Sequence, residues 1–231
     1  SSNFRTGDVE RDPDNFHLAR SSRHRLQAEM IRDNALALSG LLVDELGGPG
    51  VKPYQPPGLW KEVGLSGKPV FVQDKGDKLY RRSLYTYWKR SAPHPAMVIF
   101  DAPNRETCVI QRPSTNTPLQ ALAAMNDVQM IEASRHLAER ILKEGGSTDH
   151  ARASWAFELA TARSPETSEI DALIEVYQHS LTTYDSAPEK SQLLVSAGES
   201  GRDETLKPSE HAAWTVVASL ILNLDEVLTR N

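Results

Sequence analysis

Residues 100–127 read FDAPNRETCVIQRPSTNTPLQALAAMND. Asp101, Arg105, Cys108, Arg112, Asn116, Asn126 and Asp127 all fall in this stretch, between prolines. Carboxylates can move protons, arginine forks can grip carboxylate or phosphate, and amides can orient a polar ligand. Asp101, Arg105, Arg112, Asn116, Asn126 and Asp127 are therefore the candidate ligand-binding residues. The same groups also have a structural use. Leu119, Leu122, Met130, Ala133, Leu137 and Ile141 form the apolar stripe of a helix predicted from Pro118 to about Leu142, and Asn126 falls on that stripe. A buried amide left unpaired costs about 1–3 kcal/mol. Asn126 is thus expected to pin the preceding loop, with Asp101, Arg105 and Arg112 completing the network. The sequence leaves pocket and network both open, and it assigns no catalytic residue.

Other patterns carry weaker chemistry. Cys108 is the only cysteine, and neither His94 nor His136 lies at a diagnostic spacing from it, so an inert buried thiol is expected. Glu132 and His136 share a helix face, but no ExxH or HExxH motif accompanies them, and a surface pair is expected with no metal. Glu29 and Asp33 also share a face, with Arg25 and Arg32 spaced to pair with them. The segment YRRSLYTYWKR (residues 80–90) mixes basic and aromatic residues, a combination that suits an anionic sugar polymer. Arg81, Arg82, Tyr85, Tyr87 and Trp88 are its candidate glycan-binding residues. An amphipathic helix with Leu84 turned inward explains the same pattern.

These residues must be positioned by helices and loops. RHRLQAEMIRDNALALSGLL reads as a helix ended by GGPG. Residues 47–60 are too rich in Pro and Gly for regular structure, yet Tyr54, Leu59 and Trp60 argue that they pack. Residues 69–80 suggest a small hairpin around DKGD, and AMVIF suits either a short strand or one helical turn. Thr117–Pro118 announces a helix, as does Ser164–Pro165, with another over about 149–162 between them. SEHAAWTVVASLILNLDEVL is a last, largely buried helix. The expectation is one mainly α domain over residues 1–231, irregular, with long Pro/Gly-rich connections and at most a small β-hairpin. Its helical part is 118–231.

Composition narrows the classes. The chain has 231 residues, 39% of them hydrophobic and 25% charged, which suits a packed globular fold. A net charge of −5 argues against a general nucleic-acid binder. No apolar run reaches membrane-spanning length. A single cysteine excludes an internal disulfide, a CxxCH haem attachment and a Cys-rich zinc site, so no cofactor is expected. The opening SSNFRTGD has neither initiator Met nor apolar leader, and the chain reads as a fragment of a longer protein.

RLQAEMIRDNALALSG, GGPGVKPYQPPGLW, YRRSLYTYWKR, the 100–127 stretch and AAWTVVASLILNLDEVLTR together resemble the planctomycete PSD1 domain, domain of unknown function 1553. The resemblance runs in order over essentially the whole chain. It implies the C-terminal domain of a large exported protein, periplasmic or at the cell surface, with cytochrome c-like segments and a companion domain upstream. It carries no activity and no site residues. The function expected is a non-catalytic accessory or binding domain, contacting its upstream neighbours or an anionic polysaccharide. The alternative is an enzyme domain, oxidative and coupled to a haem-bearing neighbour, with its site at residues 101–127.

Overall fold

The computed structural model describes residues 6–17, 24–63 and 70–230. A short helix α1 (Thr6–Arg11) precedes strand β1 (His24–Arg25). Then follow α2 (Ala28–Ser39), α3 (Leu59–Glu62), α4 (Pro95–Ile99), α5 (Pro118–Asn126), α6 (Val128–Glu144) and α7 (Asp149–Thr161). The chain continues through α8 (Thr167–Ser186), α9 (Pro188–Val195), α10 (Pro208–Leu222) and α11 (Asp225–Leu228) to β2 (Thr229–Arg230). The fold is mainly α, as its helical periodicity predicts.

The core is built on α10. Ala212, Ala213, Trp214, Val217, Ala218 and Ile221 are fully buried along it, so the helix is apolar nearly all round, as a central helix must be. It packs on α6 through Leu137, Ala138 and Ile141, and on α8 through Leu173, Ile174 and Tyr177. Trp214 stacks on Tyr177 with ring centres 4.5 Å apart. A second cluster joins Leu36 of α2 to Tyr54, Leu79 and Tyr80, so the loop of residues 47–60 is ordered by its aromatic side chains.

Several expectations need correction. The helix predicted from Pro118 to Leu142 is two helices, broken at Asp127, whose extended backbone (φ −65°, ψ 133°) ends α5. Its carboxylate accepts the Gln129 N–H at 2.9 Å and so starts α6. The apolar spacing continues across this break and hides it. The start of α8 is capped by Glu166, reciprocally with Glu169, rather than by Ser164. Among the described residues no strand pairing occurs within 70–80, where Gly76–Tyr80 form a 3-10 turn. The two-stranded sheet lies instead between β1 and β2, antiparallel, His24 against Arg230. AMVIF resolves as the helical turn α4. Residues 80–90 are not an amphipathic helix but extended chain around a 3-10 turn (Ser83–Tyr85), and Leu84 points outward, 71% exposed. Single-residue bridges of Arg81 to Val43 and of Thr86 to Val51 hold this segment extended.

Candidate functional site

The 100–127 stretch is organised by Asp101. Its backbone sits in the left-handed region (φ 64°), strained for a residue with a side chain. Its carboxylate accepts the Thr115 N–H and the Thr115 hydroxyl, both at 2.8 Å, and the Gln120 amide at 3.3 Å. Gln120 is almost fully buried. Its amide also donates to the Ile99 carbonyl at 2.9 Å, while its oxygen closes the capping box of α5 on the Thr117 N–H. Asp101 is therefore a latch that folds the loop back onto the start of α5. Arg25 donates to the Thr115 carbonyl at 3.0 Å and to Asn116 Oδ1 at 3.2 Å, and lies over the Phe100 ring. Arg112 pairs with Glu29 at 2.7 Å. Burial alone would push the Glu29 carboxyl up, but the Arg112 bond and its own backbone N–H hold it below the ordinary value.

Between residues 24–28 and 109–114 this arrangement leaves an open cleft of about 510 Å³. Asp101 and Arg112 line it, and Asn116 supports it through Arg25. The other candidates lie elsewhere. Arg105 stacks on Trp88, 4.7 Å from the ring centre. Asn126 is exposed, and its amide donates to Leu122 of its own helix at 2.8 Å, so it pins no loop. Helix α5 ends at Asn126, and the break rotates it away from the core stripe that Met130 and Leu137 continue. Asp127 is the cap of α6. Cys108 is exposed rather than buried.

Glu132 and His136 are not a surface pair. Glu132 is fully buried, and its Oε1 accepts the Tyr80 hydroxyl (2.9 Å), the Ser200 N–H (2.7 Å) and the Ser200 hydroxyl (2.6 Å). His136 Nε2 lies 2.7 Å from the same hydroxyl, and Arg135 donates to it as well. A hydroxyl has one proton. With that proton on the Glu132 side, His136 and Arg135 must both donate, and Ser200 Oγ is a saturated joint rather than a nucleophile. Arg135 also serves the Ala197, Ser200 and Gly201 carbonyls, so α6 holds residues 197–201 by side chains alone. Gly198 (φ +90°) is required there, because a Cβ would collide with the Glu132 carboxyl. Burial and the Glu132 charge raise the Tyr80 hydroxyl to about 12. Among the described residues no three His, Cys, Asp or Glu side chains are grouped to hold a metal. In the sequence Glu132–His136 marks this joint, but Tyr80 and Ser200 carry no local sign of it.

In the basic aromatic segment, Arg81 is buried. It donates to the Glu45 carbonyl at 2.9 Å, the Pro49 carbonyl at 3.2 Å and the Gly47 carbonyl, and covers the Tyr85 ring. Arg82 is half-exposed beside Asp33 and Asp44. Tyr87 is exposed next to Trp60 and Lys52, and Trp88 donates to the Asn104 carbonyl at 3.1 Å.

An apolar groove of about 430 Å³ lies among α5, α6, α8, α9 and α10, lined by Met125, Ile131, Val176, Leu194, Val216 and Leu220 among others. Leu119, Leu122 and Met125, all exposed, lead into it at three-residue spacing along α5.

Residues 1–177 match the family model described as PSD1, protein of unknown function (DUF1553). Helices α9, α10 and α11 lie beyond the matched stretch. No curated protein and no solved structure matches the chain.

Proposed function

On the premise that the chain belongs to the PSD1 family of proteins of unknown function, we propose that it is a non-catalytic accessory domain docked on a neighbouring domain of the same exported polypeptide. The observation that carries this reading is a set of exposed apolar side chains, Leu119, Leu122, Met125, Val128 and Leu220, of which Met125 and Leu220 line an apolar groove. Contiguous exposed apolar surface of this kind marks an interaction site more often than solitary exposed side chains do. The polar groups support the same reading. Asp101 is committed to Thr115 and Gln120, and Glu132 Oε1 to Tyr80 and Ser200, so the conspicuous carboxylates hold loops in place. Export and the identity of the neighbour rest on the family resemblance. Among the described residues no helix is long and apolar enough to cross a membrane.

Small-angle scattering of the full polypeptide tests the docking. Leu122→Glu with Leu220→Glu places charge on the face without touching the fully buried core. The expected result is a larger radius of gyration with unchanged helical circular dichroism, because the domain swings free. An unchanged radius would remove the docking role.

A further inference from the structure

We propose that the cleft between residues 24–28 and 109–114 binds the oxyanion, carboxylate or sulfate, of a polar ligand through Arg25 and Arg112. This goes beyond docking, and the cleft shares no residue with the apolar groove. Its volume of about 510 Å³ falls in the range of small-ligand clefts, roughly 300–1,000 Å³. Two guanidinium groups reach it from distant parts of the chain. Arg112 spends one nitrogen on Glu29, which leaves the rest of its fork for a second acceptor. Among the described residues no carboxylate pairs with Arg25, and its bonds to Thr115 and Asn116 both use Nη1, which leaves Nη2 for a further acceptor. The remaining guanidinium nitrogens of Arg25 and Arg112 are donors that an oxyanion in the cleft would take.

The walls are held in advance of binding. Arg25 is fixed by its register against Thr229, by the Thr115 and Asn116 bonds, and by Phe100 beneath it. The opposite wall starts from the Asp101 latch, whose left-handed backbone persists because Thr115 and Gln120 grip its carboxylate. Preorganised cations lose less freedom on binding. Val109 and Ile110 also line the cleft, and Ile110 is fully exposed. A ligand with an apolar ring face beside its charge, such as an acidic sugar, would cover them.

Amide NMR titration of the chain with sodium glucuronate, glucose and sodium sulfate tests this. The expected result is that glucuronate or sulfate shifts amides of residues 24–28 and 109–114, more weakly as salt rises. Arg112→Gln should weaken binding about tenfold, the scale of one lost charge-assisted bond, and Arg90→Gln, an equal charge loss elsewhere, should not. Stronger binding of glucuronate identifies an acidic sugar as the source of the oxyanion. Equal or stronger binding of sulfate identifies a free or esterified sulfate. If Arg112→Gln disorders the loop, Arg112→Lys, which keeps the charge without the fork, reads the same loss. The proposal fails if neither anion shifts the cleft, if glucose binds as well as glucuronate, or if Arg90→Gln weakens binding as much as Arg112→Gln.

Discussion

Asn126 shows how a single residue can be misplaced by an otherwise sound pattern. On an unbroken helix it would be a buried amide, and Asn126→Leu would strip its partners. In the structure it is exposed, and among the described residues its amide bonds to its own helix. Asn126→Leu should therefore leave the denaturant midpoint within about 0.5 kcal/mol, the usual range for surface changes. A loss of several kcal/mol would mean that it supports the loop after all. Gly198 is the opposite case. Nothing near it in sequence marks it as critical, yet its φ of +90° and the Glu132 carboxyl leave no room for a side chain. Gly198→Ala should cost more than the roughly 1 kcal/mol typical of point changes and loosen residues 197–201, which hydrogen exchange would read as faster amide exchange there. Two buried histidines and one half-buried one set a pH dependence. Desolvation lowers His94, His136 and His211 below their ordinary value of 6.5, so each is held neutral in the folded chain. The unfolded state then binds more protons just below that value. Stability should be full above about pH 7 and should fall as pH drops through 6.5 and below. A melting temperature that is flat or rising from pH 7 to 5.5 would contradict this.

At the scale of elements, the junction at Asp127 decides what faces where. Its side chain caps α6, and removing a helix cap typically costs about 0.5–2 kcal/mol. Asp127→Ala should lower stability by that amount, and Asp127→Asn, which keeps an acceptor, by less. Equal losses in the two variants would mean that charge, not capping, is what counts there. The segment 80–90 carries the same lesson. Its apolar and basic residues fit a helical wheel, but Arg81 finds three loop carbonyls at Glu45, Gly47 and Pro49, and two bridges draw the backbone straight. Tertiary bonds of this number outweigh helix propensities of a few tenths of a kcal/mol per residue.

At the scale of the molecule, the family match ends at residue 177 while the core does not. Helix α10 carries Trp214, Val217 and Ile221, each fully buried against α6 and α8. A chain cut after residue 177 should expose that core and lose its near-ultraviolet circular dichroism. A cooperative melt from the truncated chain would show that α10 is dispensable. Within the intact chain, Trp214→Ala should cost about 3–5 kcal/mol, the usual loss for a buried aromatic. The β1–β2 pair adds a closing contact between sequence-distant ends, with the Leu26 N–H on the Leu228 carbonyl at 2.9 Å. That pairing also fixes Arg25 at the mouth of the cleft.

What the sequence alone determined was local: the helical class, the cap at Thr117, the buried character of the last helix, and a family whose long motifs are specific. Each follows from side-chain periodicity or backbone preference within a few residues. The tertiary structure decided the rest. Tyr80, Glu132 and Ser200 meet only because α6 lies between two loops. Arg25 and Arg112 share a cleft only because Asp101 folds its loop back and β1 pairs with β2. Contacts such as Tyr80–Glu132, 52 residues apart, and Ser200–Glu132, 68 apart, depend on how helices pack, and no local spacing encodes that.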